Sequence, residues 1–144
     1  MPGADAPPEP EHVVLYDGDC GLCHRTVQWI LAADPRGLFH FAPLQGATAA
    51  ALRIRHPGLP GDLDTVLYVD RSTGAERVFV RSEAIFRVCD RLGRRPAWLG
   101  AARRLPRWLT DLAYRAVARS RHHLSRTLAP CPLPPPEARA RFLP

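Results

Sequence analysis

The sequence contains no lysine. All 20 of its basic residues are arginine, and they outweigh 14 acidic residues to leave a net charge of +6. Positive charge therefore comes only as guanidinium, which favours bidentate contacts with carboxylate or phosphate. No run of about 18 apolar residues occurs, which excludes a membrane-spanning helix. Residues 1–10 carry neither the basic segment nor the apolar segment of a secretion signal. The expectation is a cytoplasmic chain with no stable membrane insertion. Cysteine is scarce, and four residues (Cys20, Cys23, Cys89, Cys131) are too few for a disulfide-dense secreted scaffold. The single methionine is Met1. No internal repeat is present.

The chain has 144 residues, the length of one compact domain, and its 46% hydrophobic content is enough for a core. A basic surface can attract nucleic acid or anionic lipid. The plainer account, a solvated arginine surface of ordinary salt bridges, is preferred here, so no nucleic-acid partner is expected.

The order of elements follows from patterning. Residues 1–11 form a disordered lead-in and 12–16 a strand. Asp17-Gly18-Asp19 turns into a helix over 21–33, which Asp34-Pro35-Arg36-Gly37 ends. Residues 38–41 alternate as a second strand, and 45–55 form a second helix. Residues 66–69 and 77–80 are strands whose five-residue link suggests an antiparallel hairpin. Ser82 is an expected N-cap for a helix over 83–93, where Ile85, Val88, Cys89 and Leu92 keep helical spacing. The chain then stays helical to about 127, with Leu105, Leu109, Leu112, Ala113 and Ala116 on one face. A proline-rich tail occupies 129–144, which bounds the domain at 12–128. The pattern is that of a small α/β layer fold: a four-stranded mixed sheet with helices on its faces and a helical extension at the C-terminal end.

Cys20-Gly21-Leu22-Cys23 sits where the first strand gives way to the first helix. Cys23, Val27, Ile30 and Leu31 share one stripe, so Cys23 is expected to face the sheet, with Cys20 at the exposed helix edge. At i, i+3 in a first turn the Cα atoms lie about 5–6 Å apart, within disulfide reach. The helix dipole and its backbone N–H groups favour negative charge there. This asymmetry suits an exposed attacking thiol and a buried resolving thiol. His24, four residues on, would favour a thiolate at Cys20 when protonated; Asp17 and Asp19 would oppose it. A carboxylate of this turn is a candidate proton acceptor for Cys23, and turn formation is its equally weighted alternative.

At Tyr16-Asp17-Gly18-Asp19-Cys20-Gly21-Leu22-Cys23 the chain resembles the DCC family of thiol-disulfide oxidoreductases, named for its Asp-Cys-x-x-Cys signature. Phe41-Ala42-Pro43-Leu44-Gln45, Arg81-Ser82-Glu83-Ala84 and Tyr114-Arg115-Ala116-Val117-Ala118-Arg119 are also similar to that family. The resemblance spans about 12–128. It implies a thioredoxin-like fold, Cys20 and Cys23 as the redox pair, and Asp19 as the signature acid. It names no substrate. Thioredoxin relatives usually carry a cis-proline just before the third strand; here Thr65 stands in that region, and the nearest proline is Pro60. Thr65, Arg81, Ser82 and His24 are expected to line the site. The partners implied are a protein or small-molecule disulfide or thiol and an electron donor. No cofactor is required.

Other chemistries fit less well. Cys20-x-x-Cys23-His24 matches a c-type haem attachment pattern, which usually needs export and often an axial methionine. A zinc set from Cys20, Cys23, Cys131 and one of His24, His122 or His123 lacks the second close ligand pair of structural sites. Cys89 falls on an apolar stripe and is expected in the core. Cys131, between prolines, is either a third redox thiol or an idle tail cysteine, with the idle role favoured. The non-enzymatic alternative is an arginine-rich binding module in which Trp98, Trp108, Tyr114 and the arginines of 94–126 engage lipid, nucleic acid or a partner helix. The preferred account packs those aromatics on the sheet.

Overall fold

The computed structural model describes residues 8–61, 66–94, 96–127 and 134–144, with only the backbone described within 121–127. Four strands form one mixed sheet: β1 (His12–Tyr16), β2 (Phe39–Pro43), β3 (Leu67–Asp70) and β4 (Arg77–Val80). Their order is β2-β1-β3-β4. β1 runs parallel to β2, with Val14 opposite Phe41, and antiparallel to β3, with Val14 opposite Tyr68. β3 and β4 form the antiparallel hairpin expected from their short link. The parallel pair is joined by α1 (Gly21–Ala33), the crossover that parallel strands require. The fold is the four-stranded α/β layer arrangement that the sequence pattern implied, and it is consistent with the thioredoxin-like fold that the resemblance implies.

Period-two alternation sorts the strand residues onto two faces. Val14, Tyr16, Phe39, Phe41, Tyr68 and Phe79 pack beneath α1 and α3 (Arg81–Arg91), joined by Cys20, Cys23, Val27, Ile30, Ala84 and Val88. Val13, Leu15, Ala42, Leu67 and Val69 face the other way onto α2 (Ala47–Arg55) through Ala49 and Leu52. Cys89 is buried, as expected for a core thiol, and burial pushes its pKa up.

Three regions differ from expectation. Pro106 splits the long C-terminal helix into α4 (Ala97–Arg104) and α5 (Arg107–Thr127), because proline cannot donate the internal hydrogen bond. α3 begins at Arg81, two residues early; Val80 is its N-cap, and Ser82 lies inside the first turn rather than capping it. Residues 134–144 do not trail away as a tail. Pro136–Arg141 forms a 3-10 turn and Phe142 pairs with Phe41 on the β2 edge. Leu143 N–H donates to the Phe41 carbonyl at 2.7 Å, and Thr48 N–H donates to the Pro144 carbonyl at 2.9 Å. Arg141 pairs with Asp34, and its Nε donates to the Phe39 carbonyl at 2.8 Å. A Cβ on Gly46 would come within 2.7 Å of the Pro144 backbone, so this close approach requires glycine there.

Candidate active site

The site forms where β1 ends. Strand pairing extends one residue past β2, with Leu44 N–H donating to the Tyr16 carbonyl at 2.8 Å. The chain then turns through Asp17-Gly18-Asp19. Asp17 Oδ1 accepts the Asp19 N–H at 3.0 Å, the short-range bond that makes aspartate a turn former. The same oxygen accepts Gln45 Nε2 at 2.7 Å, and Gln45 Oε1 accepts the Gly18 N–H at 3.2 Å. The carboxylate of Asp17 is buried, whereas Asp19 is exposed at the rim.

Cys20 is the N-cap of α1 in extended backbone geometry (φ −99°, ψ 117°), and its carbonyl accepts the His24 N–H at 3.1 Å. Cys23 lies one turn in. Neither thiol forms a disulfide, and both belong to one buried cluster with Tyr16 and Phe41. The 13-residue α1 therefore presents its positive end to the dithiol.

The expected contrast in exposure does not hold. Cys20 is 4% exposed and Cys23 8%. The loop that carries Cys20 is drawn onto the sheet by the Gln45 clamp, which closes the helix edge over it. Access comes from elsewhere. Cys23 lines a cavity of about 460 Å³ between α1, α3, α4 and α5, together with Ser82, Ile85, Leu109 and Tyr114; Cys20 does not line it. The lining is almost wholly apolar, so a bound chain there would be desolvated.

His24 is held by the turn. Its Nε2–H donates to the Gly18 carbonyl at 2.7 Å, and its ring stands edge-on to Tyr16 at 5.5 Å. The bond to a carbonyl puts the proton on Nε2, so that N–H serves the turn and not a thiolate. Ser82 Oγ donates to Asp111 Oδ1 on α5 at 2.8 Å, tying two walls of the cavity together. Arg81 adopts φ +54°, and its N–H donates to the Val66 carbonyl at 3.1 Å. This left-handed backbone costs a non-glycine residue roughly 1–2 kcal/mol. Arg81 does not line the cavity. Thr65, Cys131 and the side chains of His122 and His123 lie outside the described residues. Among the described residues, no three His, Cys, Asp or Glu side chains converge as a metal set.

Three residues of this site were given no role at the dithiol by sequence reasoning. Tyr16 is buried beside the dithiol. Burial pushes its phenol up, and the negative charge of Cys23 pushes it further. Gln45 clamps the turn, and its only sequence signal is its place at the end of the Phe41–Gln45 block. The Tyr114 hydroxyl accepts the Val66 N–H at 3.0 Å, anchoring α5 over the end of β3.

A family model for DCC1-like thiol-disulfide oxidoreductases matches residues 14–127, from β1 to the end of α5. The chain belongs to that family. The "Uncharacterized protein YuxK" of Bacillus subtilis (strain 168) is 34% identical over 140 residues, covering 94% of this chain and 96% of that protein. The chloroplastic DCC family protein At1g52590 of Arabidopsis thaliana is 25% identical over 111 residues, covering 76% of this chain and 62% of that one. No solved structure gives a significant match. In this DCC family member the Asp-Cys-x-x-Cys signature spans the turn and the first turn of α1, and the Arg-Ser-Glu-Ala block opens the facing helix α3.

Proposed function

We propose that the protein is a thiol-disulfide oxidoreductase working through Cys20 and Cys23. The carrying observation is that two thiols not joined in a disulfide share the first turn of one helix, at its positive end. The Cys20 thiolate attacks a substrate disulfide; the substrate S–S bond breaks, and the departing sulfur takes a proton. The Cys23 thiol gives up its proton and attacks the mixed disulfide, releasing the second substrate thiol. Two electrons and two protons pass to the substrate, and the pair is left as a disulfide. The reverse direction obeys the same balance. An electron donor of thiol class resets the enzyme.

The substrate, a protein or small-molecule disulfide, meets Cys20 once the turn held by Gln45 opens, with the apolar cavity that Cys23 lines beside the pair. Asp17 acts by positioning the turn, since its Oδ1 already accepts two donors. Asp19 stands at the rim, where it meets solvent and substrate. No organic cofactor enters the cycle. The cytoplasm, where thiols stay reduced, suits a dithiol of this kind.

Trapping tests the assignment. A Cys23→Ser variant is expected to accumulate a mixed disulfide with a small aromatic disulfide and with protein substrates, identified by mass spectrometry. Accumulation only in Cys20→Ser would exchange the two roles. Accumulation in neither variant, with wild-type thiols that never form a disulfide under oxidant, would end the redox assignment.

A further inference from the structure

Charge is segregated along the chain. Residues 94–127 hold nine arginines and one acid, Asp111, for a local charge of +8, so the remainder of the chain carries −2. Tyr114 packs over the end of β3, but the two tryptophans of this region do not pack on the sheet as expected. Trp98 is 59% exposed and Trp108 68%. Leu105, Leu112 and Val117 are also exposed, so α4, α5 and their link hold five of the seven exposed large hydrophobics among the described residues. Core demand does not explain them, because α1 and α3 already cover that sheet face with buried side chains.

On α5 the outward residues Trp108, Leu112, Arg115 and Arg119 recur at i, i+4, i+7 and i+11 and form one stripe. Arg104, Arg115 and Arg119 are exposed and make no ion pair among the described residues. Trp98, Leu105 and Val117 line the apolar cavity, and Val117 lies half a turn round α5 from that stripe. We infer that the α4–α5 face is a peripheral docking surface for an anionic lipid bilayer. Tryptophan and leucine enter the headgroup boundary while guanidinium groups meet lipid phosphates. Nucleic acid would use the arginines but leave the apolar stripe in water. A bilayer takes both. Docking is by this face alone; among the described residues no helix is long and apolar enough to cross a membrane.

The inference is independent of the dithiol chemistry. The test mixes the intact protein with vesicles of phosphatidylcholine, or of phosphatidylcholine with phosphatidylglycerol, at low and high salt. Binding is expected with phosphatidylglycerol, at least about tenfold tighter than without it, and weakened by salt. Tryptophan emission should shift to the blue. Trp108→Ser with Leu112→Ser should abolish binding, and Arg104→Glu with Arg115→Glu should weaken it more than tenfold. Both pairs should keep the wild-type circular dichroism and reaction with a soluble disulfide. Cys20→Ser with Cys23→Ser should bind vesicles unchanged. No vesicle binding, equal binding to neutral vesicles, binding to single-stranded DNA in place of vesicles, or a dimer that buries the two tryptophans would each overturn the inference, whatever the dithiol does.

Discussion

Gln45 Nε2 donates to Asp17 Oδ1 at 2.7 Å while Gln45 Oε1 accepts the Gly18 N–H at 3.2 Å. One side chain from the exit of β2 thus clamps the loop that holds Cys20 against the sheet. Gln45→Ala is expected to lower stability by only about 1 kcal/mol, since the side chain is largely exposed. It should, however, loosen the loop and raise the alkylation rate of Cys20. Asp17→Asn keeps the accepting Oδ1 and should leave both the stability and the pH profile of mixed-disulfide resolution near wild type. A flattened profile in Asp17→Asn would instead make that carboxylate the proton acceptor.

Tyr16 and Cys23 are coupled electrostatically. Burial raises the Tyr16 phenol, and a thiolate at Cys23 raises it further. Replacing Cys23 with serine removes that charge, so the phenol should ionise at lower pH. Tyrosinate absorbance followed through an alkaline titration, against a Tyr16→Phe control, measures this. Tyr68, pushed up to about 12 chiefly by burial, should not move. An identical titration in the two proteins would show that the sulfur and the phenol do not sense each other.

Acid should destabilise the fold in stages. Glu76 is held down to about 2 by hydrogen bonds from Arg55, His56 and Arg71, against the opposing effect of burial. Its folded pKa lies below the ordinary 4.5, so its contribution is complete above that pH and is lost as pH falls through about 2. His12 is lowered by burial, so its enforced protonation begins to oppose folding below the ordinary 6.5. Denaturant unfolding should show a shallow loss below 6.5 and a steeper one between 4.5 and 2. Glu76→Gln should flatten the steeper part, by on the order of 2 kcal/mol after solvent screening.

Arg141 pairs with Asp34, whose side chain is 2% exposed. Arg141→Met leaves that carboxylate with the Phe39 N–H but without its cation. The expected loss is about 2–4 kcal/mol, read from urea unfolding at neutral pH. The double variant with Asp34→Asn should recover part of it. No change in the single variant would show that the strap over β2 contributes nothing to the fold.

Much of the architecture was legible because it rests on local rules. The 12–16 strand, the 21–33 helix and the β3–β4 hairpin follow from alternation, helical spacing and a short turn, and the structure places them at those residues. The Cys-x-x-Cys motif was legible for the same reason: two cysteines at i, i+3 at a strand-to-helix junction fall on one helical turn whatever surrounds them. The reading failed where distant residues decide. Ser82 resembled a cap, yet its hydroxyl finds Asp111 on α5, 29 positions away. The proline-rich end resembled a tail because no local pattern announces a buried aspartate more than a hundred residues away, at the end of α1.

By itself, then, the linear order determined the layer fold, the family signature and the concentration of arginine in one stretch. Burial of both sulfurs, the side from which Cys23 is reached and the outward turn of Trp98 and Trp108 were decided by tertiary structure alone. These depend on how helices separated in sequence close over one sheet face, and a face already covered by α1 and α3 leaves some apolar residues of α4 and α5, Trp98 and Trp108 among them, exposed. Secondary structure answers to neighbours within a few residues; solvent access answers to whatever the whole chain brings alongside.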